Sequence, residues 1–223
     1  MHLVQQHILV QLSKNDFCRY RDIKPKEVDG NLFMYHLRQV ISGGLVQKSD
    51  SHYSLTSNGI RYSSQLSLKT FQPRLQPKIV TLIASQNADE EWLLYRSKRQ
   101  PFSDKIGFPY GKIHLGEKIR EAADRELAEK AGVTADLRHV GDAYIIVHRD
   151  QELISQILFH VFRGTNVKIM KKIESEVWQC YWDTVRPIQE NEYMPGFLEI
   201  YHQVKKPSQN RFFKELSLNL PKS

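Results

Sequence analysis

The chain has 223 residues, of which 40% are apolar and 26% charged, a composition typical of a globular protein that excludes a disordered chain. No apolar run approaches the roughly 18 residues of a membrane-spanning helix, and the first residues lack the basic start and apolar core of a signal peptide. Cys18 and Cys180 match no metal-ligand spacing, so we expect reduced thiols in a cytoplasmic protein with no membrane partner.

The net charge of +7 is unevenly distributed along the chain. Residues 1–67 carry eight Lys and Arg against five Asp and Glu, and residues 68–78 add three basic residues and no acidic one. Residues 79–223 are nearly balanced. This asymmetry favours a polyanion such as DNA or RNA near the N-terminus, although solvated surface charge gives the same pattern.

A proline-containing stretch divides the chain. Residues 68–77 contain Pro73 and Pro77 and show no periodicity, which is typical of a linker. We therefore predict a first domain over residues 1–67, a second over residues 78–206, and a C-terminal tail over residues 207–223.

The first domain shows helical periodicity followed by short extended segments. We predict helices over residues 3–12, 20–23 and 31–41, strands over residues 45–48 and 52–55, and a last helix capped by Thr56. In the third helix the residues able to share an apolar face are Leu32, Tyr35, Val40 and Ile41.

This order of elements resembles a small winged helix-turn-helix domain. In such domains the second helix of the motif enters the major groove of DNA. The resemblance implies His36, Arg38 and Lys48 as nucleic-acid-binding candidates, with Asn31 and His52 beside them. Dimerisation or contact with a protein partner is the alternative use of the domain.

The second domain begins with a predicted strand over residues 78–84 and a partner strand over residues 91–96. A glycine-punctuated loop over residues 107–117 leads into a helix over residues 118–130, closed by Gly132. Strands over residues 143–147 and 154–162 and a helix over residues 196–204 follow. We interpret His148, His160 and His202 as ordinary residues of these elements.

The loop and helix carry a motif, G-x5-E-x7-R-E-U-x-E-E-x-G-U, in which U is a bulky aliphatic residue. The matching residues are Gly111, Glu117, Arg125, Glu126, Leu127, Glu129, Gly132 and Val133. Residues 77–205 are therefore identified as similar to the Nudix hydrolase family. The resemblance implies an α/β/α sandwich with a mixed sheet, and cleavage of the pyrophosphate of a nucleoside diphosphate-linked substrate with Mg²⁺ or Mn²⁺.

The helix spacing supports this chemistry independently. Positions 126, 129 and 130 lie on one helical face, where carboxylates provide the oxygen ligands that Mg²⁺ prefers. A bound Mg²⁺ lowers the pKa of a water that then attacks phosphorus.

The family resemblance also assigns roles to individual residues. It implies that Arg125 orients the carboxylates and that Glu117 braces the loop. The implied metal ligands are Glu126, Glu129, the Tyr110 carbonyl, and Glu176 or Glu174 from a facing loop. The substrate-binding candidates are Gly111, Lys112 and Arg96, and the candidates for base stacking are Tyr110, Phe108 and Tyr144.

One position departs from the motif. Lys130 stands where the family has a metal-ligand glutamate. An ammonium roughly 4 Å from the ion weakens metal binding by a few kcal/mol unless the side chain turns into solvent. Catalysis is therefore left open.

The function has two interpretations. The first is a Mg²⁺-dependent hydrolase whose substrate is a free nucleotide, a nucleotide sugar, or a capped or 5′-phosphorylated RNA. The RNA alternatives are included because residues 107–113 resemble those of decapping and dinucleoside polyphosphate members of the family. The second is a winged-helix regulator whose Nudix domain senses a nucleotide with little hydrolysis. Because family members often dimerise, a homodimer is expected in either case.

Overall fold

A computed structural model describes residues 1–186, 190–206 and 210–220. The chain forms two compact units, Met1–Gln76 and Pro77–Ser223. No helix in these described ranges is long and apolar enough to cross a membrane.

The first unit is a small helical domain with a three-stranded antiparallel sheet of order β1-β3-β2. Its elements are α1 (Leu3–Leu12), β1 (Cys18–Arg19), α2 (Tyr20–Ile23), α3 (Gly30–Ser42), β2 (Val46–Ser49), β3 (His52–Leu55) and α4 (Ser57–Ser63). The Thr56 hydroxyl accepts the Gly59 N–H at 3.1 Å, as predicted for a helix cap. The order of helices and hairpin follows the sequence prediction, and β1 is additional.

The predicted apolar face of α3 is correct in part. Val40 is buried and Ile41 packs against the core, as predicted, but Leu32 and Tyr35 are 46% and 58% exposed. Phe33 and Leu37 are buried in their place. Periodicity alone does not choose between these pairs, and packing against α1 selects Phe33 and Leu37.

The predicted linker is largely part of the first unit. Pro73 forms a β-bridge with Leu66, and the Arg74 N–H donates to the Gln65 carbonyl at 2.8 Å. These bonds fold the stretch back on the end of α4, because its backbone groups find partners there.

The described residues of the second unit form two sheets and two α-helices. Its elements are β4 (Lys78–Ser85), β5 (Trp92–Ser97), β6 (Ile106–Gly107), β7 (Tyr110–Lys112), α5 (Ile119–Ala131), β8 (Val133–Arg149), β9 (Glu152–Ile169), β10 (Trp178–Asp183), a 3₁₀ turn (Glu190–Glu192), α6 (Phe197–Lys205) and β11 (Phe212–Asn219). The five-stranded sheet has the order β11-β8-β9-β4-β7 and is mixed, with β11 parallel to β8 and β4 parallel to β9.

Two strand predictions need correction. Strand β5 forms its ladders with β10 and β6 in a separate antiparallel sheet. Beside the predicted turn it is joined to the residue after β4 by the bridge between Gln86 and Trp92, but it is not a sheet neighbour of β4. The segment predicted as a C-terminal tail contains β11, which forms the edge of the five-stranded sheet. Strand propensity shows that a segment is extended but does not show its neighbour.

The core lies on both faces of the five-stranded sheet. On one face Ile83 and Phe162 pack in a cluster with Leu127 of α5. On the other, Val161 packs in a cluster with Ile200 of α6. Because successive strand residues face opposite sides, the two helices cover opposite faces, which confirms the α/β/α sandwich.

Candidate functional site

Helix α5 presents the charged residues of the motif. It ends at Gly132, whose φ of 64° is left-handed. A Cβ at this position would lie 2.0 Å from the Lys171 carbonyl oxygen. Glycine is therefore required here by both conformation and space.

Arg125 is the centre of the ion-pair network. Its Nε and Nη2 donate to the two carboxylate oxygens of Glu117 at 2.7 and 2.9 Å. Its Nη1 donates to Glu126 Oε1 at 2.8 Å and to Glu129 Oε2 at 3.2 Å. Nη2 also donates to the Lys112 carbonyl at 3.0 Å. One guanidinium thus joins the loop to both helix carboxylates.

Glu117 is held as an anion. Its hydrogen bonds from Arg125, together with the His114 N–H that donates to Oε2 at 2.8 Å, lower the pKa of Glu117 to about 2. The same contacts raise the pKa of Arg125. The loop before α5 is thereby fixed at neutral pH.

Gly111 lies directly against the Glu126 carboxylate. Glu126 is buried, and a Cβ at Gly111 would come within 1.7 Å of its carboxyl carbon. Glycine here allows β7 and α5 to approach closely enough for the carboxylate to reach the loop backbone.

Lys130 points into the site and not into solvent. Its side chain is only 17% exposed, and its Nζ lies 3.3 Å from Glu126 Oε2. Nζ also donates a hydrogen bond to the Tyr110 carbonyl. The rings of Tyr95, Tyr110 and Trp178 have their centroids 5.3, 5.0 and 5.9 Å from Nζ. Burial lowers the pKa of Lys130, and the Glu126 charge opposes this shift.

These residues line an open cleft of about 580 Å³, which is within the usual range for small-molecule sites. The charged lining residues are Lys78, Lys112, Arg99, Arg125, Lys130, Glu126 and Glu129. With five cations against two carboxylates, the cleft favours an anionic ligand.

The structure brings some predicted residues together and leaves others out. Gly111, Lys112 and the Tyr110 side chain line the cleft. Arg96 does not, because it lies on the opposite side of β5 from Tyr95 and donates to the Asp104 carbonyl at 3.1 Å. Phe108 is fully buried in the core, and Tyr144 accepts a hydrogen bond from the Gln156 side chain.

The predicted loop glutamates lie outside the cleft. Glu176 is exposed and is not among the described residues that line it. Glu174 is exposed and pairs with Lys172 at 3.0 Å. An acidic residue in a loop gives no direction for its side chain, so the sequence could not place either group.

The predicted metal ligands can be tested against their contacts. The two carboxylate oxygens of Glu126 contact protein cations, one Arg125 and the other Lys130. Lys130 also donates a hydrogen bond to the Tyr110 carbonyl. Glu129 is 61% exposed and retains access to solvent. The set of Glu126 and the Tyr110 carbonyl therefore does not fit a resident divalent ion, and of the predicted ligands only Glu129 is both in the described cleft and open to solvent.

Sequence analysis missed several residues of the cleft. Arg99 and Lys78 contribute cations, and Tyr95 contributes an aromatic wall. Tyr95 and Arg96 are neighbours on β5, so their side chains point to opposite faces of the strand. The sequence shows that one of the two faces the core, but it does not show which one.

A histidine cluster lies apart from the cleft lining. Asp142 Oδ1 is 3.0 Å from His139 Nε2 and 2.7 Å from His160 Nδ1. The three side chains are partly buried on β8 and β9. Mutual hydrogen bonding accounts for their approach, in agreement with the interpretation of His160 as an ordinary sheet residue.

The predicted nucleic-acid-binding residues of the first unit differ in their exposure to solvent. Arg38 and Lys48 are exposed. His36 is 6% exposed and stacks on His2 with ring centroids 4.1 Å apart, so its prediction as an exposed contact is wrong. His36 lies on the same buried face of α3 as Phe33. The sequence prediction placed other residues on that face and therefore left His36 exposed.

The mixed sheet, its two covering helices and the motif network together define the class of this protein. The family model for the NUDIX domain matches residues 76–203, which is more than half of the chain. The chain belongs to the NUDIX family.

Individual relatives are distant. The chain is 28% identical over 102 residues to an ADP-ribose pyrophosphatase of Methanocaldococcus jannaschii, and the match covers 44% of this chain and 60% of that protein. The MutT protein of Bacillus halodurans shares the fold, with a TM-score of 0.53 at 20% identity over 63% of this chain and 89% of that one. The NUDIX domain of Shewanella oneidensis NrtR, solved with ADP-ribose, gives a TM-score of 0.47 at 16% identity over 68% and 97%.

Proposed function

We propose that the second unit binds a nucleoside diphosphate-linked compound in its cleft and hydrolyses the pyrophosphate. The observation that carries this proposal is the Arg125 network, which orients Glu126 and Glu129 in a cleft lined by more cations than carboxylates. Membership of the NUDIX family and the likeness to an ADP-ribose pyrophosphatase support it.

The cleft residues suit the two parts of such a ligand. Lys78, Arg99 and Lys112 are exposed on the cleft and provide charge for phosphate oxygens. The Tyr110 ring is a surface on which a base stacks. A Mg²⁺ or Mn²⁺ ion that enters with the pyrophosphate is part of the substrate in this proposal.

Glu129 is the proposed general base, because it is the exposed carboxylate of the cleft. It accepts a proton as the oxygen of a water molecule bonds to phosphorus and the bridging phosphorus–oxygen bond breaks. The leaving phosphate takes its proton from solvent. Arg125 keeps the carboxylate directed at the cleft.

Turnover of a substrate panel tests this proposal. We would incubate the full chain with ADP-ribose, other nucleotide sugars, dinucleoside polyphosphates, nucleoside triphosphates and 5′-triphosphorylated RNA, each with Mg²⁺ or Mn²⁺. Glu129→Gln should lower kcat by roughly 10² or more, the usual range for a general base. Glu152→Gln, a change at an exposed residue outside the cleft lining, is the matched control. No turnover across the panel would refute hydrolysis.

A further inference from the structure

We propose that Lys130 is a built-in cation that replaces a resident divalent ion, so that the cleft binds a pyrophosphate group without requiring metal. This inference rests on the proposed function only for the class of ligand. Its basis is the position of the Lys130 ammonium, which contacts two of the oxygens predicted to bind the ion.

The Lys130 ammonium contacts oxygen atoms that were predicted to be ligands of the metal. It lies 3.3 Å from Glu126 Oε2 and donates to the Tyr110 carbonyl. Glu126 and Lys130 are four residues apart on α5, so the helix itself sets this pairing. A cation is thus already present where sequence reasoning placed Mg²⁺.

The surroundings keep the ammonium in place. Three aromatic rings, of Tyr95, Tyr110 and Trp178, have their centroids within 6 Å of Nζ, the range in which a ring attracts a cation. The Trp178 indole N–H also donates to the Lys130 carbonyl at 3.3 Å. Turning the side chain into solvent would give up the three ring contacts and the contact with Glu126 Oε2.

The ammonium retains capacity for a ligand. It has three N–H donors, and among the described residues its oxygen partners are Glu126 and the Tyr110 carbonyl. Lys130 lines the cleft, so the third donor is available to a phosphate oxygen. A divalent ion added at the same oxygens would be repelled by the ammonium.

The charge of the cleft agrees with this assignment. The described lining of this cleft has five Lys and Arg against two Glu, a balance that favours an anion over a free divalent cation. Its lining attracts pyrophosphate before any metal is added.

Metal binding and ligand binding test the inference separately from turnover. Mn²⁺ binding, followed by electron paramagnetic resonance, should be at least tenfold tighter in Lys130→Glu than in wild type, because the substitution completes the carboxylate set. Equal Mn²⁺ affinity in the two proteins overturns the inference, whether or not any substrate is hydrolysed.

Calorimetric titration with ADP-ribose and with ADP forms the second arm. Wild type should bind one of these probes in EDTA within about threefold of its affinity in Mg²⁺, and Lys130→Met should weaken binding in EDTA at least tenfold. Lys214→Met, an exposed lysine on β11 outside the cleft lining, should change neither value. Binding by wild type only when Mg²⁺ is present overturns the inference, and melting temperatures verify that each variant is folded.

Discussion

A methyl group added to Gly111 would lie 1.7 Å from the carboxyl carbon of Glu126. The buried carboxylate has contacts to Arg125 and Lys130 that it cannot keep if it moves. Gly111→Ala should therefore reduce the free energy of unfolding by about 1–3 kcal/mol, the usual cost of overpacking, and reduce turnover. Urea denaturation measures the first effect.

A double-mutant cycle separates this clash from a general backbone effect. In a Glu126→Ala background the added methyl group meets no carboxylate, so Gly111→Ala should cost much less there. An equal cost in both backgrounds would show that the close approach is not what requires glycine.

Acid should weaken the loop that Glu117 braces. The pKa of Glu117 is lowered from 4.5 to about 2, so its pairing with Arg125 stabilises the fold fully above pH 4.5 and is lost as the pH falls to 2. The difference in unfolding free energy between wild type and Glu117→Gln should shrink over this pH range. Denaturant titrations at several pH values measure it, and a constant difference would contradict the assignment.

The Cys180 thiol should be unreactive in the folded protein. Burial raises its pKa to about 12, although the Lys130 charge opposes this shift, so almost no thiolate is present at pH 8. Alkylation by iodoacetamide, read by mass spectrometry, should be slow at Cys180 in native protein and fast in urea. Rapid labelling in the native state would contradict the burial.

DNA binding by the first unit stays a prediction, and two exposed residues test it. If the unit contacts phosphates through Arg38 and Lys48, their joint replacement by alanine should weaken binding and reduce the salt slope by about 2. His36→Ala should lower the melting temperature, since His36 is buried against His2, but leave the salt slope unchanged. The absence of salt-sensitive DNA affinity in the wild-type protein would refute DNA binding by this unit.

Much of the NUDIX fold was predictable from one motif. The spacing of Glu117, Arg125 and Glu126 predicted a loop, a helix and a shared charged face, and the structure joins these three groups by direct hydrogen bonds. Local spacing suffices here because the helix geometry sets which side chains meet. The same locality explains why the caps at Thr56 and Gly132 were predictable.

The sequence by itself determined which residues are charged, which segments are helical and that Lys130 replaces a glutamate. Only the tertiary structure decided where that lysine points, because the Tyr110 carbonyl and the Trp178 ring that surround it come from distant parts of the chain. It also decided that β5 pairs with β10, that Arg99 and not Arg96 lines the cleft, and which stripe of α3 is buried. Each of these depends on contacts between segments far apart in sequence, whose choice rests on the packing of the whole core.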